Sequence, residues 1–417
     1  MSENEVTQKA LRAQEAAVKL ATIGAAKKNE ALFRMADALN QNEATILEAN
    51  REDLEHGRQT GLAESLLDRL LLNKQRIAAL VQGCRQVASL VDPIGEVTKG
   101  WVMPNGLRIS QRRVPLGVVG MIYEARPNVT VDAASLCLKA GNAVILRGGK
   151  EAIQSNIVLG KIISDAATSV GFPAGTIQVV AGTDRNSVQQ LMTANGLIDV
   201  LIPRGGAGLI QAVLEQATVP VIETGIGNCH LFIDATGDAE MAVAIALNAK
   251  TQRPGVCNAI ETLLVHRGHV DRLLPRLLGK LADAGVEIRG CPEACRAFPR
   301  AIPALEADWE TEFLAMILAV RVVESLEKAI VHIRRYSSRH TEAIVTNDLQ
   351  NATRFVDEID ASTIVVNAST RFTDGEQFGF GAEVGISTQK LHARGPMGLE
   401  ALTSTKYIVE GTGQIRP

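Results

Sequence analysis

The sequence predicts an α/β protein with two doubly wound α/β domains, a helical N-terminal region and a β-hairpin flap. Three observations carry this expectation. Residues 5–92 place apolar side chains three and four apart, as in ALFRMADALNQNEATILEA and SLLDRLLLNKQRIAALV, which is the period of an amphipathic helix. From residue 114 onward, strand-like and helix-like segments alternate. The strand-like segments are unbroken apolar runs, as a parallel sheet covered on both faces requires.

Taken in order, the helical texture ends at Asp92-Pro93. GWVMPNGLRISQRRVPLG then sets Pro104-Asn105-Gly106 between two strand-like runs, a hairpin signal. Such a hairpin suits either a surface flap or an edge used in the pairing of subunits. Next come VPLGVVGMIY (strand), VTVDAASLCLKAG (helix), NAVILRGG (strand), EAIQSNIVLGKIISDAATSVG (helix), TIQVVAGT (strand), RNSVQQLMTAN (helix), LIDVLIP (strand) and GLIQAVLEQA (helix). A second series follows, with helices AEMAVAIALNAKTQ and DRLLPRLLGKLADAG among strands NAIETLLVH, VEIRG, LAMILAVRVV, EAIVTND and STIVVNAS. The expected divisions are 1–99 helical, 100–115 hairpin, 116–226 nucleotide-binding, 227–366 a second α/β domain, and 367–417 a glycine-rich tail. A long irregular segment inside a compact protein is often functional.

Composition narrows the function. The chain has 417 residues, 46% of them hydrophobic, 21% charged and only 3% aromatic, so its cores must be aliphatic. A formal net charge of -3, with short basic stretches that lack interleaved aromatics, argues against nucleic acid and anionic membrane. No apolar run approaches the roughly 18 residues of a membrane span. The polar start MSENEVTQKALRAQEA does not read as a secretory signal. Six unevenly spaced cysteines fit reduced thiols better than a disulfide frame, and the expected location is the cytoplasm.

Several patterns could carry chemistry. Arg204-Gly205-Gly206-Ala207-Gly208 joins a strand to a helix, where glycines admit a pyrophosphate and helix N–H groups bind it. It is neither G-x-G-x-x-G nor a Walker A loop, and most loops of this kind merely turn tightly. Arg147-Gly148-Gly149-Lys150 ends another strand, where two cations would suit a ribose 2′-phosphate or simply a solvated loop. Cys84, Cys137 and Cys229 read as core residues. Cys291 and Cys295 have neither redox nor zinc spacing, and His266 and His269 lack a second pair of ligands, so no metal site is expected. Cys257 differs: in TQRPGVCNAI it follows a Pro-Gly break at the junction of a helix and a strand. A thiol there can face a cleft and be activated, or it can be one more small core residue.

The motifs TQRPGVCN, YEARPNVT (123–130), IPRGGAGL (202–209), NASTRFTDG (367–375) and QKLHARGPMGLEALT (389–403) together resemble the γ-glutamyl phosphate reductase family of the aldehyde dehydrogenase superfamily. The likeness runs nearly the whole length in the same order, apart from the first residues and 291–308. It implies an aldehyde dehydrogenase-like fold and NADPH-dependent reduction of L-glutamyl 5-phosphate to the semialdehyde, the second step of proline synthesis. It further implies Cys257 as the nucleophile that forms a thioester. Asn128 would hold the oxyanion with the Cys257 backbone N–H, or else cap its helix. Arg147, Lys150, Gly205, Gly206 and Glu312 would hold NADP(H), with Lys150 favouring NADP over NAD. Arg126, Arg371 and Arg394 would meet the substrate's phosphate and carboxylate, or make structural ion pairs. Glu223 sits where oxidising relatives keep a water-activating base, a role that a reductase does not need. Family likeness also implies a homo-oligomer and association with the upstream glutamate kinase. A general NAD(P)-dependent aldehyde dehydrogenase and a non-catalytic scaffold are the competing readings.

Overall fold

The computed structural model describes residues 4–416, and the chain divides into two compact units. The first comprises Met1–Thr224, Gly379–Gly385 and Met397–Pro417. The second comprises Gly225–Phe378 and Ile386–Pro396. Among the described residues no helix is long and apolar enough to cross a membrane.

The first unit opens with helices Glu5–Leu20, Ala25–Gln41, Glu43–Gln59, Glu64–Leu70 and Lys74–Ser89. Each long helix buries one stripe, as the apolar spacing requires; in the first it is Val6, Ala10, Ala13, Ala16 and Leu20. The Asn4 side chain caps that helix by accepting from the Thr7 N–H at 2.8 Å. Strands β1 (Val97–Val102) and β2 (Arg108–Pro115) form the expected hairpin, its turn allowed by Gly106 at φ 88°. The C-terminal strand Thr403–Glu410 pairs along the other side of β2, which makes a three-stranded antiparallel sheet.

A parallel sheet follows from β3 (Val118–Tyr123), β4 (Ala143–Arg147), β5 (Ile177–Val179) and β6 (Val200–Arg204), in the order β5-β4-β3-β6. β3 is buried at every position and β4 likewise, which explains runs without polar alternation. The N-terminal helices pack into this same unit: Glu5 accepts from the Ala181 N–H at 2.9 Å and the Gly182 N–H at 3.0 Å.

The second unit is a seven-stranded parallel sheet. Its strands are β7 (Cys229–Ile233), β8 (Ile260–His266), β9 (Glu287–Gly290), β10 (Ile302–Pro303), β11 (Ile317–Val323), β12 (Thr341–Val345) and β13 (Thr363–Val366). They lie in the order β10-β9-β11-β8-β7-β12-β13. The segment 291–308, which matched no motif, supplies the short helix Pro292–Ala297, the edge strand β10 and the turn Glu306–Trp309.

Residues 367–417, expected as one tail, are shared between the units. The Thr370 hydroxyl donates to the Asn258 carbonyl at 2.6 Å, within the second unit. Met397 donates its N–H to the Gly385 carbonyl at 2.8 Å, within the first. Helix Leu273–Asp283 buries Leu273, Leu274, Leu277, Leu278 and Leu281 against the large sheet. Leu277→Ala should therefore lower stability by about 2–5 kcal/mol, read as an earlier denaturation midpoint for the second unit.

Candidate active site

In the first unit, the candidate cofactor residues gather because parallel strands deliver their loops to one edge, the carboxyl end where ligands of open α/β sheets bind. Glu124–Asn128 follows β3, Arg147–Lys150 closes and follows β4, and Arg204–Gly206 closes and follows β6. Gly206 precedes helix Ala207–Gln216, and its N–H donates to Glu124 Oε2 at 2.9 Å. A Cβ on Gly205 would lie 2.7 Å from both Glu124 Cδ and Leu209 Cδ2, so a larger residue there would have to push both side chains aside. This turn accepts an anion, as a helix N-terminus should, and the anion seated there is the protein's own carboxylate.

Arg147 is buried, and its guanidinium donates to the carbonyls of Thr183 at 2.8 Å, Asp184 at 3.0 Å and Gly148 at 3.1 Å. It thus fastens the loop after β5 to the end of β4. Lys150 stands exposed at the start of the Lys150–Ala152 turn. Arg126 is half-buried in the turn after β3.

Asn128 begins helix Asn128–Lys139 but does not cap it; the cap position is Pro127. The Asn128 amide Nδ2 instead donates to Asp132 Oδ2 at 2.9 Å, one turn along. That bond fixes the direction of the amide. Burial pushes the Asp132 carboxyl up to about 6, while Asn128 and Arg204 pull the other way.

In the second unit, Cys257 lies half-exposed between helix Ala239–Thr251 and β8. Gly227 packs directly on it, so that a Cβ at Gly227 would overlap the Cys257 carbonyl. The buried Cys229 thiol donates to that same carbonyl at 3.1 Å. The Gly227 N–H donates to Glu312 Oε1 at 2.6 Å, which ties the candidate ribose-binding carboxylate to the glycine that packs on Cys257.

Beneath these residues lies a fully buried ion pair, Lys250 with Glu261. Lys250 Nζ also donates to the Ile260 carbonyl at 2.9 Å. Glu261 Oε1 accepts from the Leu314 N–H at 3.1 Å and holds that residue at φ 51°, two places after Glu312.

Arg371 Nε donates to Gln252 Oε1 at 2.7 Å. Burial lowers its pKa, while Asp374 and the charge of Cys257 act the other way, so the guanidinium is within electrostatic reach of the thiol. Arg394 turns elsewhere, to Asp360 at 2.7 Å, with Lys390 on the other carboxylate oxygen at 2.8 Å. Those two cations hold Asp360 down at about 2. Glu223 lies half-buried beside β6, in the extended run that follows the Leu201–Val221 bridge.

Sequence reasoning missed Glu124, Asp132, Gly227, Lys250 and Glu261. For the last two a signal existed: a lysine ending the apolar run MAVAIALNAK and a glutamate inside the apolar strand NAIETLLVH. Gly227 had none beyond lying in a glycine-rich run.

Known proteins resemble this chain over nearly its whole length. A model of the aldehyde dehydrogenase family matches residues 1–288. The γ-glutamyl phosphate reductase of Moorella thermoacetica is 60% identical over 412 residues, 99% of this chain and 99% of the relative. That of Clostridium novyi is 58% identical over 414 residues, with 99% of each chain covered. The crystal structure of the Thermotoga maritima enzyme of that name matches with a TM-score of 0.97 at 47% identity, covering 99% of this chain and 100% of that one. The chain belongs to the aldehyde dehydrogenase family, in its γ-glutamyl phosphate reductase branch.

Two outcomes follow from the geometry. Gly227→Ala forces the Cys257 loop away from its position and should cut turnover about 100-fold while thermal stability changes far less. Asp132 has a pKa raised from 3.8 to about 6, so folding favours its neutral form. Its contribution to stability is complete below about pH 4 and is lost as pH rises through about 6. Asp132→Asn should therefore leave Tm unchanged at pH 4.5 and raise it at pH 8, measured by thermal unfolding.

Proposed function

We propose that the protein reduces L-glutamyl 5-phosphate to L-glutamate 5-semialdehyde with NADPH and releases phosphate, the second step of proline synthesis. The observation that carries this reading is full-length identity of 55–60% to several relatives named γ-glutamyl phosphate reductase, joined to a half-exposed cysteine gripped by backbone and a second thiol. NADPH supplies the hydride when bound; every other task falls to the chain.

Cys257 attacks the acyl phosphate as a thiolate, forms a thioester and expels phosphate. The thiol reaches this state most readily beside cations, and Arg371 supplies one. Asn128, its amide aimed by Asp132, donates its second Nδ2 hydrogen to the oxyanion. Arg126 and Arg371 receive the substrate's phosphate and carboxylate. Arg394 shares Asp360 with Lys390, and in this reading it steadies the pocket through that ion pair. Gly205 and Gly206 would hold the cofactor pyrophosphate at the helix terminus, where the Gly206 N–H now meets the Glu124 carboxylate. Glu312 would meet the nicotinamide ribose and Lys150 the adenosine end, with Arg147 bracing the adjoining loop through the backbone carbonyls it holds. The exposed Lys150 ammonium suits a 2′-phosphate and therefore NADP.

A homo-oligomer is part of the same reading. Trp101, Tyr407 and Val409 leave apolar surface exposed on one face of the three-stranded sheet, and an uncovered apolar face of that kind favours a partner copy. The enzyme works in the cytoplasm, where association with the upstream kinase would spare a hydrolysable acyl phosphate from water.

The test is the reverse assay, with glutamate semialdehyde, phosphate and NADP, followed by NADPH absorbance. Wild-type protein should show phosphate-dependent turnover, and Cys257→Ser should lose it by roughly a thousandfold or more with cofactor binding retained. Turnover that needs no phosphate and requires Glu223 would favour the general aldehyde dehydrogenase reading instead.

A further inference from the structure

Thr262 on β8, His230 on β7 and His332 on helix Leu326–Tyr336 are buried, and each keeps a side-chain polar atom with no hydrogen-bond partner. These atoms are Thr262 Oγ1, His230 Nε2 and His332 Nε2. The strand register pairs Thr262 with His230, so both project from one face of the large sheet. The His332 ring meets the His230 ring edge-on at 5.4 Å, which brings the helix over that same face. Buried polar atoms almost always find a partner, and a cluster of orphans points to a missing ion, water or ligand.

Arg321 on β11 adjoins this cluster. Its Nη1 donates to His332 Nδ1 at 3.1 Å, and its guanidinium lies over the Trp309 ring at 5.5 Å. Burial above all, with His230 and Arg321 adding to it, pushes His332 down to about 2, so the ring is neutral at physiological pH. With Nδ1 accepting, its single proton sits on Nε2, a donor that lacks an acceptor.

Two adjoining hollows of about 410 and 440 Å³ lie beside this cluster: Arg321 lines both and His332 lines the second, while Thr262 and His230 sit behind them and line neither. The carboxylates around them are already committed. Glu306 pairs with Arg335 at 3.0 Å, Glu324 with Arg267 at 3.1 Å, and Glu293 with Arg296 at 3.5 Å. Arg321 and Lys328 have no such partner among the described residues, which leaves two cations facing a cavity large enough for a small metabolite.

We infer that this groove of the second unit binds a small oxyanion, a molecule bearing a carboxylate or a phosphate, with Arg321 and Lys328 as charge partners and His332 on the inner wall. It shares no lining residue with Gly227, Cys257, Glu312 or Arg371, and it does not depend on the proposed reaction.

Trp309 makes the site directly observable, because the chain has only two tryptophans. In Trp101→Phe protein, fluorescence of Trp309 is titrated separately with malonate and with inorganic phosphate. A saturable change is expected with a midpoint on the order of 1 mM, and the stronger probe identifies the anion class. Arg321→Gln added to that background should weaken the midpoint at least about tenfold, with Arg321→Lys intermediate and Tm confirming that both fold. Lys328→Ala, on the exposed face of its helix, should weaken it as well. Absence of a saturable change with either probe overturns the inference. So does a response that survives Arg321→Gln and Lys328→Ala but is lost in Arg371→Gln, which would place the anion near Cys257.

Discussion

Lys250 and Glu261 lie side by side with no exposure to water, under the loop that carries Cys257. Neither charge could be buried alone, since an unpaired ion in a protein interior costs several kcal/mol. Their remaining hydrogen-bonding capacity is spent on backbone: the ammonium on the Ile260 carbonyl, the carboxylate on the Leu314 N–H. One pair therefore fixes the end of a helix, the start of β8 and the approach to β11. From there the chain of contacts is short. Leu314 sets Glu312, Glu312 holds Gly227, and Gly227 presses on the carbonyl of Cys257. A buried pair of this kind contributes little net stability, and its value lies in allowing only one arrangement of the segments it joins.

The first unit follows a different logic. Its loops meet at one sheet edge because parallel strands all point the same way, and close backbone approach is then secured by glycine. Glu124 completes the arrangement by seating a carboxylate on the Gly206 N–H. Such a contact is stabilised by the helix terminus yet exchangeable, because the carboxylate is exposed to solvent on its other side. Asp132 acts similarly on Asn128, aiming an amide that would otherwise rotate. Both cases use an acidic side chain to hold a polar group ready.

The second unit has two polar regions tied to one residue. Asn228, next to Gly227, donates from Nδ2 to the carbonyls of Trp309 and Tyr336, both at 2.8 Å. Those residues border the groove that contains Arg321 and His332. The same short segment thus contacts the Cys257 loop on one side and the groove's walls on the other.

Much of this was legible in the sequence, for local reasons. Helical periodicity, unbroken apolar strands and the Pro104-Asn105-Gly106 turn each depend on neighbours a few residues apart, so the alternation of elements and the hairpin could be read directly. Pro254-Gly255 marked Cys257 in the same way, by ending a helix just before it. Long-range contacts could not be read so. The strand Thr403–Glu410 returns to pair with β2, nearly 300 positions earlier, and nothing in its own composition names that partner. Arg147 reads as a cofactor hand, yet three carbonyls claim its guanidinium. Asn128 reads equally as a cap, but the backbone makes Pro127 the cap and Asp132 the amide's partner. Arg394 lies in a matched motif and turns to Asp360. The sequence by itself determined which segments are helix and strand. Only the tertiary structure decided what each charged side chain faces, because that depends on which distant backbone comes within 3 Å of it.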